Sequence, residues 1–163
     1  MVAHHTLPLH CIEAKVPGTN VTINCVLNSG SEIITMPRHI WEKIGLPLCC
    51  DHLMTMTSAN MSKDTTVGIL ENLKLNFRAR PVMHQVQVIE HANFDILLGC
   101  PFICLMSAVT NNYPDCHNHW ITLCDLNDGH KYTLPTCPWC KGCPCCKCGK
   151  HCHSHQSIVE WGF

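Results

Sequence analysis

The residues of this chain best placed to do chemistry are Asn28, Ser29 and Gly30, within Cys25-Val26-Leu27-Asn28-Ser29-Gly30-Ser31-Glu32-Ile33-Ile34-Thr35-Met36. Three apolar residues, a polar turn and a second apolar run describe a strand that delivers a tight loop. A carboxylate held at position 28 could exchange protons with a bound substrate. Asn28 has nearly the shape of a carboxylate, but it carries neither charge nor an ionisable proton. Asn, Ser and Gly also favour turns in their own right, so the triplet alone reads equally as a plain turn.

A second concentration of reactive side chains runs from Cys137 to His155. Thiolates and imidazoles ligate Zn²⁺ well, and Cys-x₂-Cys lets two ligands meet one ion. Cys143, Cys146 and His151 copy the start of a zinc knuckle, but position 156 is Gln, so His155 or Cys152 must serve as the fourth ligand. Loose, non-specific metal binding by so many thiols is the readier reading. No cofactor is expected elsewhere. His117 and His119, close to Asp115 and Cys116, read as a solvated turn, and His4, His5 and His10 as an exposed start.

These groups must be positioned by a chain of 163 residues with 46% apolar and 14% charged residues, which suits one packed domain with appendages. The net charge of −1 gives no overall field to recruit nucleic acid or a membrane. The uncharged run Ile96 to Val109 contains Gly99 and Pro101 and is too short to span a bilayer, so no membrane partner is expected. The fifteen Cys accompany no recognisable secretory leader, which argues against a disulfide framework and for a soluble, intracellular (cytoplasmic) protein.

Leu9 to Val16 and Val21 to Leu27, separated by Pro17-Gly18-Thr19-Asn20, predict a β-hairpin ending at Asn28. Ile33 to Met36 reads as a strand and Pro37 to Ile44 as a short helix closed by Gly45. Met54 to Ser58 and Thr65 to Phe77 flank a polar tip, Ala59 to Asp64, that could fold over a cleft. Leu73, Leu75 and Phe77 alternate with polar residues, as do Val86 and Val88 within Val82 to Glu90. Phe94 to Gly99 reads as a buried strand, Pro101 to Met106 as a helix, and Trp120 to Leu126 with Lys131 to Leu134 as a last hairpin. Periodicity disappears from Pro135 onward. The expected division is a flexible stretch over 1–8, one domain over 9–135, and a disordered Cys/His/Lys-rich tail over 136–163.

Over residues 9–135 the chain resembles the retropepsin-like aspartic protease domain of gypsy-type LTR retrotransposons. The resemblance rests on Val26-Leu27-Asn28-Ser29-Gly30, on Ile40-Trp41-Glu42-Lys43-Ile44-Gly45-Leu46-Pro47-Leu48, and on Phe94-Asp95-Ile96-Leu97-Leu98-Gly99, in that order. It implies an all-β, closed-barrel subunit with one or two short helices, working as a homodimer on a peptide or polyprotein segment. Position 28 would then supply the catalytic carboxylate. Ser29 would brace the loop against its dimer mate, and the Gly30 amide would approach the carboxylates. Ala59, Asn60, Met61 and Ser62 would belong to the flap over the peptide, and Ile96 to Gly99 would pack behind the loop.

Against that expectation the residue at position 28 is the departure that matters. Two close carboxylates share one proton, one accepting from water and the other donating to the peptide carbonyl. A carboxamide does neither, so the expected state is a catalytically impaired member of the class. The alternative is a non-enzymatic dimeric module that binds peptide, zinc or nucleic acid. Arg is confined to Arg38, Arg78 and Arg80, while Cys and His are abundant. Cytosine deamination converts Arg codons to Cys, Trp, His or Gln and an Asp codon to Asn, so a decayed element copy explains Asn28, Cys100 and the tail together. The tail retains Lys141, Lys147 and Lys150 with no acid from Gly129 to Val159, which allows only weak, salt-sensitive attraction to nucleic acid.

Overall fold

The computed structural model describes residues 9–58, 60–78, 80–111 and 119–139. Twelve strands and two short helices are formed among these residues. Strand β1 (His10–Lys15) and β2 (Thr22–Leu27) make the expected hairpin, in register from Cys11↔Val26 to Lys15↔Thr22. A short β3 (Thr35–Pro37) runs straight into α1 (Arg38–Ile44), with extended Pro37 as N-cap and Gly45 closing the helix in the left-handed conformation at φ 73°. Arg38 grips Glu90 through two hydrogen bonds of 2.9 and 2.6 Å, tying α1 to the residue that follows β7.

The hairpin expected across Met54 to Phe77 divides in two. A small two-stranded sheet pairs β4 (Thr55–Thr57) with β5 (Lys63–Thr65), and β6 (Gly68–Phe77) then begins a separate, long hairpin with β7 (Arg80–Ile89). Lys63 and Asp64, expected in the tip, instead pair with Thr57 and Met56. After β7 come β8 (Ile96–Leu98), α2 (Cys100–Leu105), β9 (Val109–Asn111), β10 (Trp120–Cys124), β11 (Lys131–Pro135) and β12 (Cys137–Pro138).

The main sheet runs β12-β1-β2-β8-β3-β7-β6, and a further pairing of β1 with β6 at Lys15↔Asn76 closes six of its strands into a barrel. The bridge ties the ends of β1 and β6 together and shortens the free edges that would otherwise invite pairing with another chain. The interior holds Ile23, Met36, Leu70, Leu73, Leu75, Phe77, Ile96, Leu98 and Phe102, all essentially inaccessible. Each such side chain contributes about 1.5–3 kcal/mol on burial, so this cluster is the main stabilising term. Leu70 and Leu73 are three apart, out of step with a two-residue period. A register shift between them, with Asn72 at φ 56°, turns both inward.

Beyond the barrel, β9, β10 and β11 form a three-stranded sheet. β12 pairs with β1 at Cys11↔Cys137 and His10↔Pro138, carrying the main sheet past position 135. Burial pushes the Cys11 thiol up to about 12, with Cys137 opposite it adding to the effect, so Cys11 behaves as a packed hydrophobe. His10 and His119, expected in solvent, instead stack at a ring separation of 4.0 Å. Thr136 accepts from His10 Nδ1 at 2.8 Å and donates to the His119 carbonyl at 3.0 Å. His119 is buried where the His10 ring stacks on it and Thr136 bonds to its carbonyl. Asp115, Cys116 and His117 lie outside the described residues.

Candidate functional site

The loop at residues 28–31 is held from behind by β8, which threads between β2 and β3, the two strands that the loop connects. β8 runs parallel to β2 (Cys25↔Ile96, Val26↔Leu97, Leu27↔Leu98) and antiparallel to β3 at Thr35↔Leu97. β8 is thereby central in the sheet, with Ile96 and Leu98 turned into the core and Leu97 partly buried on the other face. The Asn28 amide donates to the Leu98 carbonyl at 3.0 Å, and Ser31 N–H donates back to the Asn28 carbonyl at 3.2 Å. Asp95, just before β8, accepts from the Asn24 amide at 3.1 Å and so fixes the two strands at their other end.

Within the loop, Asn28 Oδ1 accepts the Gly30 N–H at 2.9 Å. A side chain at position 30 would bring its Cβ to 3.2 Å from that oxygen, so glycine permits the approach. The bond occupies the carbonyl side of the carboxamide, whose other polar atom, Nδ2, can only donate. Asn28 is half-buried, and Ser29 and Gly30 are exposed. The three residues singled out in the sequence therefore share one accessible turn.

Two contributors to the loop were not foreseen in the sequence. Ser31 Oγ donates to the Ile33 carbonyl at 2.9 Å, closing the turn on its far side. Cys100 Sγ donates to the Ser29 carbonyl at 3.0 Å, while its backbone N–H donates to Ser31 O at 2.7 Å. Cys100 thus clasps the loop from the first turn of α2. Its position directly after Ile-Leu-Leu-Gly was the available signal. Gly99 lies so close that a Cβ there would collide with the carbonyl oxygens of Ile33 and Ser31.

The hairpin tip forms a second exposed element. Ser58 N–H donates to Ser62 O and Met61 N–H to Ser58 O, both at 2.9 Å, and the Ser62 and Ser58 hydroxyls bond at 3.0 Å. Asn60 Oδ1 accepts the Ser62 amide at 3.1 Å. Met61 stands in the left-handed region at φ 67° with 79% of its surface exposed, an apolar side chain held outward at the apex. Ala59 lies outside the described residues. The base of the hairpin is anchored by Thr66, whose N–H reaches Met54 O at 2.8 Å and whose hydroxyl accepts from Met54 N.

Cys143, Cys146, His151 and His155 also lie outside the described residues. Among the described residues, no group of three or more His, Cys, Asp or Glu side chains is placed to hold a metal ion. No helix among them is long and apolar enough to cross a membrane.

No protein-family profile and no curated protein matches the chain. Its structure is similar to that of the retroviral protease-like domain of Ddi1 from Leishmania major. The TM-score is 0.55 with 12% sequence identity, over 84% of this chain and 98% of that one. At that identity the likeness defines the fold: a mostly β, retropepsin-like closed barrel of six strands with two short helices.

Proposed function

We propose that the chain is a retropepsin-like domain of retrotransposon descent, an aspartic endopeptidase by ancestry that binds peptide without hydrolysing it. Two copies bring their loops at residues 28–30 together across a two-fold axis. The tips at Ala59, Asn60, Met61 and Ser62 fold over an extended peptide or polyprotein segment. The observation that carries this reading is the loop itself. Its supporting bonds from β8, Gly30 and Cys100 are intact, while the group at its centre is a carboxamide.

The chemistry follows from that group. Hydrolysis needs a base to take a proton from water as it attacks the peptide carbon. It also needs an acid to protonate the carbonyl oxygen, and later the departing nitrogen. Asn28 Nδ2 donates a hydrogen bond but gives up no proton, and Oδ1 is too weak a base to accept one at working pH. Positioned acid–base groups supply roughly 10²–10⁴-fold each, so a dimer with two carboxamides has no measurable turnover. Binding is retained, because an uncharged donor still meets a peptide carbonyl and no close carboxylate pair has to be neutralised.

Calorimetry with a statine-type peptide inhibitor, beside sedimentation analysis, tests the reading. One inhibitor per two chains, with no cleavage of a polyprotein-derived peptide, is the expected result. A monomer without affinity for the inhibitor, or steady cleavage below neutral pH, contradicts it.

A further inference from the structure

The flank of β7 carries a cavity of about 350 Å³, separate from the residue 28–30 loop and bounded by α2 and by Ile33 and Ile34. Ile34, Ile69 and Leu105 give it apolar walls, and no charged side chain lines it. Met83 and Leu105, 51% and 41% exposed, leave an apolar rim open to solvent. This volume falls within the range of small-molecule sites, where apolar walls combine with a few fixed polar groups.

One of its polar groups is set unusually. Gln87 is only 6% exposed, yet its Oε1 has no hydrogen-bond partner among the described residues. Its backbone N–H is already committed to Ile34 O at 2.8 Å, so the side chain is not needed to hold the sheet. His84, also on β7, is 3% exposed and turns its ring into the core between Phe77 and Phe102, away from the face that carries Gln87. Gln85 beside Gln87 is oriented by a 2.9 Å bond from its Nε2 to Asn72 Oδ1, at the bulge of β6. Bulges of this kind commonly re-aim side chains beside a site.

Buried acceptors without donors cost about 1–3 kcal/mol each. An occupant that removes this cost must donate a hydrogen bond. It must also be uncharged, because nothing in the lining balances a charge, and it must cover apolar walls with a flat or bulky body. A thioether at the mouth favours an aromatic ring. We propose that this cavity binds an uncharged aromatic group bearing an N–H donor, of the indole class, with Gln87 Oε1 as its principal acceptor. The site stands independently of the peptide cleft and of what Asn28 does there.

The test is a titration of the full chain, with labelled Ile and Met methyl groups followed by NMR. The probes are indole, N-acetyl-tryptophanamide and 1-methylindole, the last lacking the donor. The expected result is saturable shifts at Met83, Ile34 and Ile69, with indole favoured over 1-methylindole by about tenfold, and loss of that preference in Gln87→Leu. Binding of N-acetyl-tryptophanamide assigns the site to a peptide side chain; binding of indole alone assigns it to a free small molecule. Absence of saturation at these methyls, or equal affinity for indole and 1-methylindole in the parent chain, overturns the proposal. The parent-chain comparison decides the matter even if Gln87→Leu does not fold.

Discussion

A carboxamide and a carboxylate at position 28 differ in proton chemistry but allow the same hydrogen bonds in the loop. The Gly30 N–H requires an acceptor, and Oδ1 of Asn or of Asp serves equally. The support behind the loop is far less forgiving. Gly99→Ala drives a Cβ into the carbonyls of Ile33 and Ser31, backbone that cannot step aside without moving the loop. We expect a loss of about 3 kcal/mol in urea unfolding, at the upper end of overpacking costs. Cys100→Val removes only the hydrogen bond to Ser29 O and is expected to cost about 1 kcal/mol, read in the same titration. The turn at Asn28 was legible in the sequence because its flanking apolar runs mark a strand entering a turn. The Cys100 clasp was not, because it depends on α2 starting where β8 meets the loop.

Among the elements, β7 carries the clearest pH signature. His84 lies between Phe77 and Phe102, at ring separations of 6.3 and 5.6 Å. Burial pushes its pKa below the ordinary value of 6.5, against weaker opposing pulls from the Val82 and Leu73 carbonyls. The folded chain therefore binds fewer protons than the unfolded chain once the pH falls below about 6.5. Stability contributed by the neutral ring is complete above that pH and falls as the solution is acidified towards the folded pKa. The slope is at most about 1.4 kcal/mol per pH unit. His84→Leu is expected to flatten the thermal midpoint between pH 6.5 and 5; an unchanged slope would assign the acid sensitivity to other groups. Alternation already placed position 84 in phase with Val86 and Val88, so its inward face was readable. The division of the second hairpin was not. β5 is exposed at all three residues, Lys63, Asp64 and Thr65, and gives no apolar alternation to distinguish it from a loop.

At the scale of the whole molecule, closure of the barrel and the return of the chain to β1 depend on contacts distant in sequence. The long alternating strands β6 and β7 were legible because one face of each meets the core. β9, exposed throughout, and β12, two residues in a Cys-rich segment, offered no such pattern. The composition boundary at Pro135 therefore falls before Thr136, which is buried between His10 and His119, and before Trp139, whose N–H bonds to Leu9 O at 2.6 Å. A chain ending at Trp139 is expected to melt close to the full chain, and one ending at Pro135 about 5 °C lower by calorimetry. The central claim concerns two such molecules acting together, and one cleavage assay below neutral pH addresses it, with Asn28→Asp beside the parent chain. Peptide hydrolysis that appears only in Asn28→Asp and stops with a statine-type inhibitor is the predicted result. Equal hydrolysis by both chains, or none by a folded, dimeric Asn28→Asp, would contradict the account.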